Sequence, residues 1–356
     1  MSLHFHSLRV SELRPDAEDA VIVGFDVPDA LRESFRFTAG QYLTLRCEVN
    51  GQDLRRSYSI CAAEGEALRV GVRRVEGGAF SSFVHASLKA GDRIEVFPPQ
   101  GRFCLPAAAK GRHVLGIAGG SGITPILSIM KTLLEREPHS RFTLIYANRR
   151  QSSTMFKEEI EDLKNRHMTR LSLFNVFSRE AVDAPLFAGR LDAGKLAQIF
   201  ASAVPLKSVD EAFVCGPFEM NEHAEAVLSA LGLKPGQIHI ERFGTPEMQQ
   251  GRAAPHETRD GDAQAMVTLI RDGLSREFEF SRHDPSLLDA AARAGIEVPY
   301  SCKSGVCSTC RCKLLEGQVR MDKNFALDKA EVAAGFVLSC QAHALTERVV
   351  ISFDER

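Results

Sequence analysis

The stretch CKSGVCSTC, residues 302–310, carries the most specific pattern in this sequence of 356 residues. Four residues separate Cys302 from Cys307 and two separate Cys307 from Cys310, and a fourth cysteine, Cys340, ends the later stretch VLSC. Thiolates at this spacing are typical of the ligands to a [2Fe–2S] cluster. Small residues between them let backbone N–H groups approach the sulfurs. A structural zinc site is the alternative, but zinc usually draws on two separated pairs of cysteines.

The residues on either side of this motif predict a small α+β domain. MVTLIR and LSREFEF alternate apolar and polar residues around Asp272 and Gly273, which is a strong signal for a β-hairpin. SLLDAAARAG then predicts a short helix that ends at Gly295. Cys312 follows the motif, and we expect it to be a small buried core residue, with ligand exchange as the alternative.

Cysteine usage and composition exclude several classes of protein. Nine cysteines, of which Cys47, Cys61, Cys104 and Cys215 stand alone, do not form the pattern of a disulfide framework. A net charge of −2 with 44% hydrophobic and 25% charged residues indicates a globular protein without a nucleic-acid-binding charge. The sequence has no recognisable secretory signal and no apolar run long enough to span a membrane. We therefore expect a cytoplasmic protein with clustered thiols as metal ligands.

Residues 109–245 alternate strand and helix patterns, which predicts a parallel, doubly wound sheet. HVLGIAGG looks like a buried strand that runs into a glycine-rich turn, and ITPILSIMKTLLERE has helical apolar spacing. The further strands are FTLIYANR, LSLFNVF and EAFVCG, with the helix MFKEEIEDLKNRH between the first two.

The turn after the first of these strands is a candidate dinucleotide site. Gly120, Gly122 and Thr124 lie between strand and helix, where backbone amides can meet a pyrophosphate. Ser178 and Arg179 follow another strand, and together they can hold a 2′-phosphate, which favours NADPH over NADH. A solvated loop arginine is the alternative, and Arg149 and Arg150 are further candidates for the adenosine end.

The first hundred or so residues predict a small antiparallel barrel. Short strand patterns such as VIVGFDV, QYLTLRCEV and LRVGVRRV are separated by turn residues. On one strand, Arg56, Tyr58 and Ser59 suit the phosphate, ring face and reactive N5 edge of a flavin, respectively. Gly78 and Ser81 precede a short helix pattern and suit a phosphate at its N-terminus. An amphipathic strand and an ordinary capped turn are the alternatives for each motif taken alone.

Two further groups are candidates for the hydride-transfer site. Cys215 ends the strand EAFVC, where its thiol can face a nicotinamide ring while Gly216 and Pro217 open room for that ring. A buried structural cysteine is the alternative. Glu241 and Phe243, just before a polar linker, can place a carboxylate and an aromatic ring beside the flavin.

Taken together, these motifs carry a family resemblance over most of the chain. RSYS, GGAFS, GGSGITP, CGP and ERF occur in the order found in the ferredoxin–NADP⁺ reductase superfamily, and CKSGVCSTC with Cys340 resembles plant-type ferredoxins. With the reductase first and the ferredoxin last, the chain looks most like the family of reductase subunits of phenylacetyl-CoA epoxidase complexes. LRRSYSIC, FTLIYANR, DEAFVCGP and FVLSCQA carry that match.

The resemblance implies a multidomain chain and its function. Residues 1–108 are expected to form an FAD-binding β-barrel, 109–245 an NAD(P)-binding domain, 246–264 a linker and 265–356 a β-grasp [2Fe–2S] ferredoxin domain. The implied enzyme is an NADPH-dependent reductase, with NADH less favoured, that passes electrons through FAD and the cluster. The implied acceptor is a di-iron epoxidase that acts on a ring-bearing coenzyme A thioester.

Matching motifs also imply roles for individual residues. Ser59, Cys215 and Glu241 are expected at the hydride-transfer site. The other expected contacts to the flavin are Arg56, Tyr58, Gly78, Ser81 and Phe243. The expected contacts to the nucleotide are Gly120, Gly122, Thr124, Ser178, Arg179, Gly216 and Pro217. The expected iron ligands are Cys302, Cys307, Cys310 and Cys340. Whether Phe243 covers the flavin stays open, because the residue is not at the chain end as in plant-type reductases.

Two other functions fit parts of the pattern. The reductase of another oxygenase, such as a ring-hydroxylating dioxygenase, would carry the same motifs and differ only in its partner surface. A redox-sensing protein that uses the cluster as a signal is the second alternative, and the complete flavin and nicotinamide motifs count against it. The phosphate motifs suit FMN as well as FAD.

Overall fold

A computed structural model describes residues 4–107, 111–244 and 261–355 of the chain. The described residues form two compact units, one that ends at Phe243 and one that begins at Gly244. The predicted boundary between residues 108 and 109, and residues 246–260 of the predicted linker, lie outside the described residues. No helix in these ranges is long and apolar enough to cross a membrane.

The N-terminal part of the larger unit is a six-stranded sheet in which every neighbouring pair is antiparallel. The strand order is β4-β3-β6-β1-β2-β5, and a bridge between Ile60 and Val70 joins the two outermost strands. The sheet therefore curls into a barrel, as predicted. Its elements are β1 (His6–Pro15), β2 (Ala20–Asp26), β3 (Tyr42–Val49), β4 (Gln52–Ser59), β5 (Arg69–Arg73), α1 (Ala79–Ala86) and β6 (Arg93–Gln100).

Two details of the barrel differ from the sequence prediction. The sequence does not predict strand β1, because only Leu8 and Val10 of its residues are buried and most of the strand is polar. Helix α1 begins at Ala79, inside the GGAFS motif, with Gly78 as its N-cap. Ser81 therefore lies in the first turn of the helix instead of preceding it.

The second part of the larger unit is a five-stranded parallel sheet in the order β11-β10-β7-β8-β9. The first strand in the chain, β7, is central, so the direction of winding reverses between β7 and β10. Doubly wound sheets bind ligands at such a switch point, and the predicted fold class is confirmed. The elements are β7 (His113–Gly119), α2 (Ile123–Arg136), β8 (Arg141–Asn148), α3 (Lys157–Arg166), β9 (Leu171–Phe177), α4 (Ala193–Ser202), β10 (Glu211–Cys215), α5 (Phe218–Ala230) and β11 (Ile238–Glu241).

The smaller unit is a mixed five-stranded sheet in the order β13-β12-β18-β14-β16, with a separate two-stranded sheet of β15 and β17. Strands β12 and β18 are parallel, and the other neighbours are antiparallel. This is the α+β arrangement expected of a ferredoxin domain. Its elements are β12 (Ala265–Arg271), β13 (Leu274–Phe280), α6 (Leu287–Arg293), β14 (Arg311–Glu316), β15 (Val319–Met321), α7 (Lys329–Ala333), β16 (Phe336–Leu338), β17 (Ala342–Ala344) and β18 (Arg348–Ser352).

The hairpin turn and the helix end in the smaller unit have the backbone conformations that the sequence predicts. Asp272 and Gly273 have φ angles of 55° and 74°, the positive values that a tight hairpin turn requires. Helix α6 ends at Arg293, and Gly295 follows it with a φ of 72°, as a terminating glycine does. Asp262, near the end of the predicted linker, already forms an ion pair of 2.6 Å with Arg320 of this unit.

Within the larger unit, a buried ion-pair network ties the parallel sheet to the barrel. Lys131 of α2 is only 3% exposed, and its ammonium donates hydrogen bonds to Glu66 at 2.5 Å and to Glu159 at 2.7 Å. Arg69 of β5 also donates to Glu159, at 2.5 Å. Burial by itself would raise the pKa of Glu66, but the bond from Lys131 and other partners outweigh it and lower that pKa. The network thus holds α2 and α3 against the barrel.

We expect Lys131→Met to destabilise the larger unit by about 3 kcal/mol, because removing one partner of a buried pair leaves uncompensated charge. Urea unfolding followed by circular dichroism measures the change. Lys157→Met is the matched control, since Lys157 forms an exposed ion pair of 3.9 Å with Glu161. This variant should lower the free energy of unfolding by less than about 0.5 kcal/mol. Equal losses in the two variants would contradict a stabilising role for the network.

Candidate active site and iron–sulfur site

The predicted GGSG and CGP turns meet at the switch point of the parallel sheet. A Cβ atom placed on Gly122 would lie 2.0 Å from the carbonyl oxygen of Cys215. A Cβ atom on Gly216 would lie 3.0 Å from the Cα atom of Gly119. The two turns therefore touch backbone to backbone, and only glycine permits that approach.

Side chains outside the motifs hold the glycine-rich turn in place. Gly120 has a φ of +55°, and its carbonyl accepts a hydrogen bond of 3.1 Å from the hydroxyl of the buried Tyr146. Thr124 donates to the carbonyl of Ser121 at 3.0 Å. Sequence reasoning missed Tyr146, although it lies in the quoted stretch FTLIYANR. Its only signal is a polar hydroxyl in an otherwise buried strand.

Strand β5 of the barrel lies directly against the same turn. A Cβ atom on Gly120 would come within 2.9 Å of the guanidinium of Arg73, and one on Gly71 within 3.0 Å of the methyl group of Thr124. Arg73 also donates to the carbonyl of Ser153 and pairs with Asp19 at 3.2 Å. Sequence reasoning missed Arg73, because nothing in the sequence indicates that β5 meets this turn. A nucleotide held by the turn would lie beside the barrel.

The two predicted flavin motifs also come together. The rings of Tyr58 on β4 and Phe80 on α1 have centroids 5.8 Å apart. Burial raises the pKa of the Tyr58 hydroxyl, an effect that the nearby cation of Arg56 opposes. Arg56 is exposed and Ser59, at the end of β4, is buried. The structure thus places an exposed cation, a sheltered aromatic ring and a hydroxyl along one strand next to the start of α1.

The turn before α1 is closed by its own serine. The hydroxyl of Ser81 accepts a hydrogen bond of 3.1 Å from the amide of Val75 and donates one of 3.2 Å to the carbonyl of Gly78. A Cβ atom on Gly78 would lie 2.8 Å from that hydroxyl oxygen. Because the first amides of a helix have no partners within it, they remain available to an anion. These residues fit a flavin phosphate, with the amides as donors and Ser81 as the support of the turn.

Cys215 and Glu241 are neighbours at the carboxyl ends of β10 and β11, where they are register partners. Burial raises the pKa of the Cys215 thiol well above its usual value, and the carboxylate of Glu241 adds to this. The thiol is therefore neutral near pH 7. Burial also raises the pKa of Cys104 to about 12, again with a contribution from Glu241, so the carboxylate lies near the residues that follow the barrel.

The flanking candidates occupy the same edge of the sheet. Pro217 is the N-cap of α5, directly after Gly216. Phe243 lies two residues beyond β11 and is 44% exposed. The placement of its ring beside the flavin stays a prediction.

Ser178 and Arg179 directly follow the carboxyl end of β9, beside the end of β8. Their amides donate to the carbonyls of Asn148 at 3.0 Å and Arg149 at 2.9 Å, and both side chains are exposed. The neighbouring Glu180 carboxylate accepts a hydrogen bond of 2.6 Å from the amide of Gln151. A cavity of about 320 Å³ opens at this edge, with Tyr146, Asn175, Phe177 and Glu180 in its lining.

The four predicted iron ligands are gathered in the smaller unit as two thiol pairs. A hydrogen bond with Cys307 is the main cause that lowers the pKa of Cys302 to about 5, while the pKa of Cys307 is raised. A hydrogen bond with Cys340 raises the pKa of Cys310. Among the described residues, no three His, Cys, Asp or Glu side chains are grouped as ligands of one metal ion. Two pairs of thiols suit the two irons of a [2Fe–2S] cluster.

The loop between these thiols is shaped for close backbone approach. The amide of Ser304 donates to the sulfur of Cys302 at 3.4 Å. Gly305 has a φ of +78°, and a Cβ atom there would lie 2.9 Å from the carbonyl oxygen of Lys323. Cys312 is fully buried in the core, as predicted, and burial raises its pKa to about 12. The residues present therefore fit a cluster held by four thiolates, with Cys312 outside the set.

A curled sheet suited to a flavin, a nucleotide-binding sheet and a ferredoxin domain define a flavin- and iron–sulfur-dependent oxidoreductase. Three family models match the chain: an oxidoreductase FAD-binding domain over residues 8–104, an oxidoreductase NAD-binding domain over residues 117–226 and a 2Fe-2S iron-sulfur cluster binding domain over residues 269–345. FAD, NAD(P) and the [2Fe–2S] cluster are thus the cofactor classes of this chain.

Similar proteins refine this class. The chain is 45% identical to a subunit of the 1,2-phenylacetyl-CoA epoxidase of Escherichia coli (strain K12), over 99% of this chain and 98% of that protein. It is 35% identical to the ferredoxin reductase component of 3-ketosteroid-9-alpha-monooxygenase of Rhodococcus rhodochrous, over 97% of this chain and 96% of that protein. The fold of phthalate dioxygenase reductase matches with a TM-score of 0.58, at 24% identity and 98% coverage of both chains. The chain belongs to the family of reductase components of oxygenases.

We expect Gly122→Ala to slow reduction of the flavin by NADPH about 100-fold, because the added carbon would force apart the two turns that are predicted to position the nucleotide. Stopped-flow absorbance measures the rate. Gly236→Ala is the control, since among the described residues no atom outside Gly236 and its two chain neighbours lies within 4 Å of the added carbon. Reduction by dithionite should be normal in both variants. A wild-type rate in Gly122→Ala would contradict the assignment of this turn.

Replacing any of Cys302, Cys307, Cys310 or Cys340 by serine should abolish the [2Fe–2S] signal of the reduced protein in EPR, because each is one of the four expected thiolate ligands to iron. Flavin reduction by NADPH should persist. Cys312→Ala is the matched control and should retain the signal. Loss of the cluster only in Cys312→Ala would show that the ligand set is wrongly assigned.

Proposed function

We propose that the chain is the reductase of a di-iron epoxidase complex that acts on a ring-bearing coenzyme A thioester. The observation that carries this proposal is the 45% identity, over almost the full length of both chains, to a subunit of the Escherichia coli 1,2-phenylacetyl-CoA epoxidase. The reductase of a different oxygenase is the second candidate, favoured by the 35% identity to a 3-ketosteroid monooxygenase component.

We also propose the residues that carry the reaction. A bound flavin supplies the exchange between a hydride and single electrons. Arg56 and the first amides of α1 hold the flavin phosphates, and Tyr58 covers its ring or ribityl face. Gly120, Gly122 and Thr124 position the nicotinamide nucleotide. Ser59, the neutral thiol of Cys215 and the carboxylate of Glu241 line the hydride-transfer site and keep water from it.

NADPH is the proposed electron donor. Arg179 is exposed just beyond the carboxyl end of β9, so its guanidinium is available to a 2′-phosphate, with Ser178 as a second donor. The nearby Glu180 carboxylate is the group that would favour NADH, because it can accept from a ribose hydroxyl. One of its two oxygens accepts a hydrogen bond from the amide of Gln151, and the comparison of both donors below tests which nucleotide is preferred.

The domain limits and the location of the protein are proposals as well. Residues 1–108 bind FAD, residues 109–245 bind the nucleotide, and residues 265–356 hold the cluster after a linker at 246–264. We propose a cytoplasmic protein, because none of its nine cysteines, all of which lie in the described residues, forms a disulfide, as expected in a reducing compartment.

Reconstitution with an oxygenase tests the acceptor. The purified reductase, NADPH, dioxygen and the remaining subunits of a phenylacetyl-CoA epoxidase should convert phenylacetyl-CoA, with one NADPH oxidised for each product formed. The oxygenase of a 3-ketosteroid monooxygenase, with its own substrate, is the comparison. Faster turnover with the latter would overturn the epoxidase assignment and leave the reductase activity intact.

Arg179→Ala should weaken NADPH binding by about 2 kcal/mol, the contribution of a charge-assisted hydrogen bond, which is roughly a 30-fold rise in KM. The KM for NADH should not change. Steady-state reduction of ferricyanide with both donors measures the effect. Arg141→Ala is the control, because Arg141 is exposed at the opposite, amino end of β8. Equal effects on NADPH and NADH would contradict the phosphate contact.

A further inference from the structure

Gln341 follows the fourth proposed iron ligand, in the turn between β16 and β17. Its backbone is fully engaged, since its amide donates to Leu338 and its carbonyl accepts from Asp322, each at 2.9 Å. The residue is only 9% exposed. Its side-chain amide therefore has to find partners inside the protein.

The partners of that amide belong to the cluster site. The side-chain nitrogen lies 3.0 Å from the carbonyl oxygen of Lys303, 2.9 Å from the carbonyl oxygen of Cys340 and 3.7 Å from the Cys340 sulfur. Lys303 directly follows Cys302 in the chain. This one side chain thus joins the segment of the first ligand to the segment of the fourth ligand. Lys303 and Gln341 are 38 residues apart in the chain.

The packing around this amide supports the same role. The Cγ atom of Gln341 lies 3.4 Å from the position of a Cβ atom on Gly305, within the cluster loop. The amide of Phe325 donates to the carbonyl of Gly305 at 3.0 Å and gives that loop a second attachment. The loop is therefore fixed by residue 325 as well as by the side chain of Gln341.

We propose that Gln341 is a positioning residue for the iron–sulfur cluster: one N–H of its side-chain amide holds the Lys303 carbonyl of the first cluster loop, and the other is shared between the carbonyl and the sulfur of Cys340. The inference rests on the proposed assignment of the four cysteine ligands. Donors to cluster sulfurs stabilise the more negative, reduced form and so raise the reduction potential. Gln341 thereby makes the cluster a better acceptor of electrons from the flavin.

Redox titration of the full-length, cluster-loaded protein, followed by EPR, tests the proposal in two variants. Gln341→Met keeps an unbranched side chain but removes the donor, and its cluster potential should shift to more negative values. Gln341→Glu keeps the shape, removes the donor and adds a negative charge, so its shift should be larger. Both variants should lose iron to a chelator several-fold faster than the wild type, because the loop is no longer clamped.

The matched control is Gln318→Glu, which makes the same change on the loop between β14 and β15, where the side chain is exposed. It should retain the wild-type potential and chelator resistance. A wild-type potential in both Gln341 variants would overturn the donor role, and wild-type chelator resistance would overturn the clamp. If neither variant retains a cluster while NADPH still reduces its flavin, the clamp is supported. Absence of a [2Fe–2S] signal from the wild type would instead overturn the ligand assignment.

Discussion

The larger unit depends on one close contact, that of the turn after β7 with the turn after β10. With the Cβ position of Gly122 only 2.0 Å from the Cys215 carbonyl oxygen, no side chain fits between the two turns. That contact fixes where the parallel sheet opens, and it places Cys215 and its neighbour Glu241 at the opening. The buried Lys131 network and the contact of β5 with the same turn then determine which part of the barrel faces it.

The smaller unit obeys a comparable constraint with different chemistry. Four thiols lie on two segments that are far apart in the chain, so their geometry depends on what connects the segments. Backbone donors, a glycine with positive φ and the Gln341 amide supply that connection within a small fold. The unit carries a near-neutral balance of charged residues, which suits a tethered domain, because a linker can supply the effective concentration that free proteins gain from charge steering.

Much of this architecture could be predicted from the sequence, because its signals are local. Strands β9 and β10 were predicted at their observed residues, since their apolar runs are bounded by polar or turn residues. The cysteine spacing and the Asp272–Gly273 hairpin are equally local. Contacts between distant segments could not be predicted in this way. Lys131 looks like one polar position on an amphipathic helix, Arg73 like a surface strand residue, and Gln341 carries no signal at all, because their roles depend on packing partners elsewhere in the chain.

We conclude that this chain transfers electrons from a nicotinamide nucleotide through a flavin to a [2Fe–2S] cluster. An anaerobic titration of the cluster-replete protein with NADPH, followed by visible absorbance and EPR, tests this path most directly. We expect bleaching of the flavin together with a rhombic [2Fe–2S] signal. Bleaching of the flavin without any cluster signal would contradict the path and would return a structural zinc site to the four cysteines.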